Sequence, residues 1–177
     1  MQYRRADIKG GTYFFTVNLA KRQHTLLADH IHGLWEAILA VKGRHPFRLD
    51  ALVVLPDHLH AIMTLPPGDN RFPTRWRLIK ANFSQRVPRL EKINSSRKSK
   101  GERGLWQRRY WEHLIRSDLD YHRHVDYIHY NPVKHGYVKK PGHWPYSGIH
   151  GYIAKGLLSA DWGADEAGGE ISCGERD

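Results

Sequence analysis

The chain has 177 residues, enough for one folded domain with a buried core, and 40% of them are apolar. The formal net charge is +10, and residues 1–163 alone hold 27 basic against 13 acidic side chains. Such an excess favours a polyanionic partner, most often nucleic acid.

A single cysteine excludes an intrachain disulfide or a cysteine-based zinc site. No apolar run resembles a membrane span or a secretory signal, so we expect a cytoplasmic protein.

The hydrophobic pattern predicts four strands and three helices. The predicted strands are residues 12–19, 47–55, 58–65 and 110–115, and the predicted helices are residues 29–43, 73–87 and 118–130. Asp29 and Gly43 are expected to cap the first helix, and Pro132 is expected to end the last one. The order of elements predicts an α+β fold, in which helices cover one face of an antiparallel sheet and the other face stays open to a ligand.

Two histidines stand out on the third predicted strand. The turn at Pro56-Asp57 joins this strand to the preceding one as a hairpin. Because side chains alternate between faces along a strand, His58 and His60 project to the same side and form half of a metal site. Such a pair is also compatible with ordinary half-buried strand histidines, and the pair alone favours that simpler interpretation.

The last predicted helix carries Tyr127 and Asn131, which share a face because they are four residues apart. A tyrosine beside a metal ion can attack a phosphodiester, and an asparagine can add an oxygen ligand. Since the pKa of free tyrosine is about 10, this nucleophile needs help from the ion, from Lys134 or from basic surroundings. Spacing equally fits a tyrosine packed on the core. The rival tyrosines are Tyr13, Tyr110, Tyr121, Tyr130 and Tyr137.

Two further regions combine positive charge with aromatic rings, as nucleic-acid-binding surfaces do. One is the basic face of the second predicted helix, and the other is the stretch 105–111; a solvated face and a packed core are the simpler alternatives. The candidate DNA contacts in these regions are Arg75, Arg77, Lys80, Trp106, Arg108 and Arg109, and Lys134 is a further candidate. Residues 88–103 are polar and basic, which predicts a mobile loop that nucleic acid could order.

Four motifs carry a resemblance to a known family. They are Lys9-Gly-Gly-Thr-Tyr-Phe-Phe-Thr-Val-Asn18, Val54-Leu-Pro-Asp-His-Leu-His60, Trp106-Gln-Arg-Arg-Tyr-Trp-Glu-His113 and His124-Val-Asp-Tyr-Ile-His-Tyr-Asn-Pro-Val-Lys-His-Gly136. Together they closely resemble the REP-associated tyrosine transposases, a branch of the single-tyrosine HUH transposases. The resemblance covers about residues 3 to 163.

The resemblance implies a ferredoxin-like or RRM-like sheet with the catalytic Tyr127 on a following helix. It implies that His58, His60 and Asn131 bind a catalytic Mg²⁺ or Mn²⁺ ion, although imidazole ligands also accept zinc. The expected substrate is single-stranded DNA folded into REP hairpins. The expected reaction is cleavage and rejoining through a 5′-phosphotyrosine intermediate, in the cytoplasm and at the nucleoid when the protein is bound to DNA.

The same resemblance divides the chain into three parts. Residues 1–140 are the expected nuclease domain, residues 141–163 a carboxy-terminal extension near the active site, and residues 164–177 an acidic, disordered tail. The extension departs from the family at Gly148, where a second serine is common, and at Leu158-Ser159, where Tyr-Pro is usual. A monomer or a homodimer, a binding module that does not cleave, and a hydrolase that uses water remain open alternatives.

Overall fold

A computed structural model of the chain describes residues 8–22, 25–89, 91, 93 and 95–164. Its strands are β1 (Thr12–Asn18), β2 (Arg48–Val54), β3 (His58–Thr64) and β4 (Trp111–Leu114), which form one antiparallel sheet in the order β2-β3-β1-β4. Its helices are α1 (Leu26–Asp29), α2 (Ile31–Arg44), α3 (Phe72–Arg86), α4 (Ser95–Lys98), α5 (Asp118–Lys134) and α6 (Ile149–Ala154). The predicted α+β class is confirmed.

Helices α2 and α3 cover one face of the sheet. On this face β1 contributes Tyr13, Phe15 and Val17, all fully buried, and α3 contributes Trp76. The ring of Phe15 lies 5.3 Å from the Trp76 ring and packs against its edge. Strand-helix-strand-strand-helix-strand with this strand order is the ferredoxin-like arrangement that the sequence predicts.

The opposite face is where the sequence predicts an open sheet, and here the structure corrects the prediction. Helix α5 packs across β2 and β3 and covers much of that face. Its Val125 and Ile128 are buried against Phe14, Val53 and Ile62, which form a second, smaller apolar cluster. Successive side chains of the strands project to opposite faces of the sheet, and the buried side chains on both faces are largely apolar. The second face therefore also needs a helix to cover it.

Three predicted helix ends are wrong: the end of α5 at Pro132 and the caps of α2 at Asp29 and Gly43. Pro132 lies inside α5, which continues to Lys134, so the residues that follow the proline stay on the helix. At the other helix, α2 begins at Ile31 and ends at Arg44, and Asp29 belongs to the separate short helix α1. There the Asp29 carboxylate accepts a 2.6 Å hydrogen bond from the Thr25 hydroxyl instead of capping α2.

The segment 88–103, predicted as a mobile loop, contains the short helix α4. Residues 90, 92 and 94 lie outside the described part. Arg103 ties the end of the segment to the end of α3, because its guanidinium donates to the backbone oxygens of Ser84, Val87 and Pro88 and pairs with Glu91. An arginine that satisfies the last carbonyl groups of a helix orders a segment that has little to bury.

The chain after α5 runs along the outer edge of β2. A 3₁₀ helix spans Pro141–His143, and Trp144 Nε1 donates a 2.9 Å hydrogen bond to the Val54 oxygen. Gly148 N donates to the Leu52 oxygen at 2.7 Å, and a Cβ on Gly148 would lie only 3.2 Å from that oxygen. The close approach explains glycine at this position. The predicted acidic tail lies outside the described residues from 165 onward.

Among the described residues, no helix has the length and apolar character that a membrane span requires.

Candidate metal and tyrosine site

The two histidines of β3 lie together under α5. The register with β1 puts Asn18 opposite His58 and Thr16 opposite His60, so all four side chains share one face. The centres of the two imidazole rings are 5.0 Å apart. Both rings are almost completely buried and are therefore shielded from bulk water.

Hydrogen bonds hold the Nδ1 atoms of both rings. His58 Nδ1 lies 2.6 Å from one oxygen of Asp57, and the other oxygen accepts a 2.9 Å hydrogen bond from Arg22 Nε. His60 Nδ1 lies 2.9 Å from the hydroxyl of Thr16. A partner on Nδ1 fixes the orientation of the ring and makes Nε2 the atom that the ring offers to a metal.

The electrostatics of the site suit a metal ligand. Burial, followed by the nearby positive charges of His58, His135, Lys134 and Arg22, holds the pKa of His60 well below 6.5, so this ring is neutral at pH 7. Burial opposes ionisation of Asp57, but the hydrogen bonds from His58 and Arg22 outweigh it and lower the pKa of Asp57 to about 2. A neutral imidazole such as that of His60 is the form of histidine that binds a metal, and a carboxylate such as Asp57 is a common partner of the other nitrogen of a ligating ring.

Tyr127 lies beside this pair on α5. Its ring centre is 5.3 Å from the His60 ring and 5.9 Å from the Phe14 ring, and both contacts are edge to face. The exposed Lys134 places its Nζ 5.0 Å from the centre of the Tyr127 ring. The tyrosine is 3% exposed. The structure therefore brings Tyr127 and the paired histidines together.

Asn131 is the third candidate ligand of the site. It is fully buried, and in the described part of the chain neither its amide oxygen nor its amide nitrogen has a hydrogen-bond partner. An unpaired buried amide costs about 1–3 kcal/mol, so such a group calls for a ligand. Asn131 follows Tyr127 by one helical turn on the same face of α5. An amide oxygen with no protein partner, one helical turn from a tyrosine whose ring contacts His60, fits a divalent cation.

His135 is a member of this group that sequence reasoning missed. Its ring lies 5.3 Å from the His58 ring, and burial, followed by the charges of His58 and Lys134, lowers its pKa. Tyr127, Asn131 and His135 are spaced four residues apart, which is a helical pattern. The pattern was visible in the sequence, but the expectation that Pro132 ends the helix hid it. Thr16 and Arg22 carried no sequence signal, because their contacts depend on the strand register and on a turn.

A second group that could hold a metal ion lies on the same face, toward the start of α5. It consists of His113 on β4 with Asp120 and His124 on α5. Asp120 accepts a 2.9 Å hydrogen bond from His113 Nε2, and the two imidazole rings stack at 4.7 Å with an angle of 14°. A metal lies in the plane of each ligating imidazole, so stacked rings converge poorly on one ion. We interpret this group mainly as a set of contacts that holds β4 against α5.

The structure corrects two predicted DNA contacts. Arg75 is 1% exposed, pairs with Asp69 at 3.0 Å and donates to the backbone oxygens of His45 and Pro46. Trp106 is 7% exposed, and its Nε1 donates to Ser84 Oγ at 3.2 Å. Both side chains belong to the core on the α3 side, so neither is available to DNA in this fold.

The sheet separates two of the other predicted DNA contacts from the Tyr127 site. Arg77 and Lys80 lie on α3, which is on the face opposite to His58. Burial lowers the pKa of Lys80 to about 8, and its Nζ donates to the Gln107 oxygen at 3.0 Å. Arg109 is exposed. Arg108 is also exposed and pairs with Glu102 at 2.9 Å. Lys134, by contrast, contacts the ring of Tyr127.

The fold and the site define a class: a ferredoxin-like domain that carries a buried tyrosine and a candidate divalent-metal site on one face. No protein-family model matches the chain. The chain is 47% identical over 175 residues to the REP-associated tyrosine transposase of Escherichia coli (strain K12), a match that covers 99% of this chain and 97% of that protein. A second relative, from Haemophilus influenzae, is 42% identical over 164 residues, covering 92% of this chain and 93% of the relative.

A solved structure gives the same result. The structure of a REP-associated tyrosine transposase bound to a REP hairpin matches with a TM-score of 0.82 and 45% identity, over 100% of this chain and 98% of that one. The chain therefore belongs to the REP-associated tyrosine transposases.

Proposed function

We propose that the protein is a metal-dependent endonuclease and strand transferase that acts on single-stranded REP-type hairpins through a 5′-phosphotyrosine intermediate. The observation that supports this proposal most is the grouping of Tyr127, His60 and the unpartnered amide of Asn131 on one buried face. The relative of known structure is bound to a REP hairpin, which supports the same substrate class for this chain.

In the proposed reaction the Tyr127 oxygen forms a bond to a DNA phosphorus, and the bond from that phosphorus to the 3′ oxygen of the leaving strand breaks. The tyrosine loses its proton, and the leaving oxygen gains one. Because one phosphoester replaces another, the free 3′ hydroxyl can reverse the step and rejoin strands without an external energy source. A DNA substrate places the expected site of action in the cytoplasm, at the nucleoid.

The side chains of the site have separate tasks in this proposal. His58, His60 and Asn131 would hold Mg²⁺ or Mn²⁺, which when bound would polarise a non-bridging phosphate oxygen. Lys134, whose Nζ lies 5.0 Å from the Tyr127 ring centre, stabilises negative charge on the attacking oxygen and on the phosphate. Phe14 packs against the rings of Tyr127 and His60 and holds the two rings in position relative to each other.

The experiment is a denaturing gel of the protein mixed with single-stranded REP hairpin oligonucleotides and Mn²⁺. We expect a covalent adduct with the wild type and none with Tyr127→Phe, which keeps the ring packing but lacks the attacking oxygen. Tyr130→Phe, a change three residues along the same helix, is the matched control and retains the adduct. An adduct that survives Tyr127→Phe would remove this residue as the nucleophile.

Hairpin binding, measured on the same variants without metal, distinguishes the proposed function from its main alternative. We expect Tyr127→Phe to bind as well as the wild type does. Tight binding by the wild type with no adduct and no nicked strand would instead indicate a module that holds structured nucleic acid without cleaving it.

A further inference from the structure

One tryptophan is placed unlike the other large aromatic residues of the site face. Trp111 is the first residue of the edge strand β4, and it pairs with Thr16 of β1. Thr16 also pairs with His60 of β3, from the other side. Directly paired residues of antiparallel strands project to the same face, so Trp111 lies on the His60 face. The two residues are two strand spacings apart, about 10 Å.

The neighbouring rings on this face are buried against one another, whereas Trp111 is partly exposed. Phe14, His60 and Tyr127 are buried and contact one another. Trp111 is 41% exposed, and within the described part of the chain its indole has no ring contact. An exposed indole beside a buried cluster is not needed to fill the core, and it offers a flat apolar surface to a ligand.

Helix α5 leaves this corner of the sheet uncovered. The helix starts beside β4, where His113 is bonded to Asp120, and it packs onto β2 and β3 farther along. His113 is two residues after Trp111 on the same face, so the helix covers the end of β4 and not its beginning. Through Thr16, the Trp111 corner adjoins His60, whose ring contacts Tyr127.

We propose that Trp111 is a stacking platform for an unpaired base of the DNA strand, at the nucleotide next to the phosphate that reaches Tyr127. This inference rests on the proposed function, since it takes the Tyr127 site as the place of the phosphate. Positive charge supports a nucleic-acid occupant: Arg109, two residues before Trp111, is exposed, and the chain carries a net charge of +10. A stacked base would also fix the position of the adjacent phosphate.

The test combines a variant with an abasic scan of the substrate. Binding of a REP hairpin oligonucleotide is measured in a Tyr127→Phe background without metal, with one abasic nucleotide at each unpaired position in turn. We expect Trp111→Ala to weaken binding by about 5- to 150-fold, the range that corresponds to loss of one stacked base. At one position the abasic penalty should disappear in Trp111→Ala, because the base and the indole form a single interaction.

Two controls keep the result specific. Trp35 is 48% exposed on α2, which packs on the other face of the sheet, so Trp35→Ala should leave hairpin binding unchanged. Trp111→Phe should restore most of the affinity, since a phenyl ring also stacks. Thermal melts of each variant confirm that the exposed substitution leaves the fold intact.

The outcomes distinguish the two proposals. Binding that is equal in Trp111→Ala and the wild type, or abasic penalties that are the same in both, would overturn the stacking site and leave the proposed function intact. A wild-type protein that binds hairpins with unpaired flanks no better than blunt duplex DNA would overturn the proposed function as well.

Discussion

The two faces of the sheet are formed by alternate residues of the same strands, yet their chemistry differs. Toward α2 and α3, adjacent buried residues such as Phe15 and Trp76 form an apolar core. Toward α5, the strands present His58 and His60. A buried amide without a partner, such as that of Asn131, lowers the stability of a small domain. The apolar core on the α2 and α3 face offsets that cost, so the α5 face can keep the polar side chains of the candidate site.

The largest expected effect is the loss of cleavage in His60→Ala. A catalytic ion contributes several kcal/mol, so we expect the rate of adduct formation at low Mn²⁺ to fall by about a hundredfold or more. His32→Ala, which changes an exposed histidine of α2, is the control and should react normally. An unchanged rate in His60→Ala would exclude metal binding by the paired histidines.

The second effect concerns the core face, where Arg75 is paired with Asp69. Asp69→Asn leaves the buried guanidinium without its carboxylate, so we expect the free energy of unfolding to fall by about 3 kcal/mol at pH 7. The hydrogen bond from Arg75 holds the pKa of Asp69 below its usual range. The stabilisation is therefore present above about pH 4 and is lost as the pH falls further.

Urea unfolding of both proteins at pH 7 and pH 3 measures that difference. We expect a large gap between wild type and Asp69→Asn at pH 7 and a smaller one at pH 3, with hairpin binding at pH 7 unaffected. Weakened hairpin binding by the folded variant would restore Arg75 to the DNA-binding surface.

A third effect tests the support of the metal site. Asp57→Asn removes the charge behind His58, and we expect the Mn²⁺ concentration for half-maximal cleavage to rise by about 10- to 100-fold. Asp50 is a similarly buried carboxylate, paired with Arg48 near the opposite end of the strands, and Asp50→Asn is the matched control. Equal metal requirements in the two variants would contradict a role for Asp57.

The smallest effect separates the two faces directly, through neighbouring phenylalanines that are both fully buried. Phe14→Leu and Phe15→Leu should each lower stability by about 1 kcal/mol. Only Phe14→Leu should slow cleavage, because Phe14 contacts the His60 and Tyr127 rings whereas Phe15 contacts Phe72 and Trp76. Equal cleavage rates at equal stability would show that Phe14 has no role in positioning the site.

Much of the fold could be predicted because local pattern and tertiary structure agree. The β-branched and aromatic residues from Thr12 to Asn18 and the turn at Pro56-Asp57 specify strand and hairpin without reference to distant residues. The continuation of α5 through Pro132 could not be predicted in the same way. Tertiary packing holds that turn helical against the local preference that proline imposes on the residue before it.

The candidate site shows the same division. His58 and His60 follow from strand alternation, and the spacing of Tyr127 and Asn131 follows from the helix period. The hydrogen bond from Thr16 to His60 and the pair of Arg22 with Asp57 could not be foreseen, because they depend on register and on a turn. Arg75 was misassigned because helical periodicity does not show which cation meets a buried carboxylate.

The most direct test of the central claim is to locate the covalent bond. The adduct formed with a REP hairpin oligonucleotide is digested with protease and nuclease, and the modified peptide is sequenced by mass spectrometry. The account predicts a nucleotide phosphate on Tyr127 and on no other tyrosine. Attachment at a different residue, or release of a 5′ phosphate strand with no attached peptide, would contradict it.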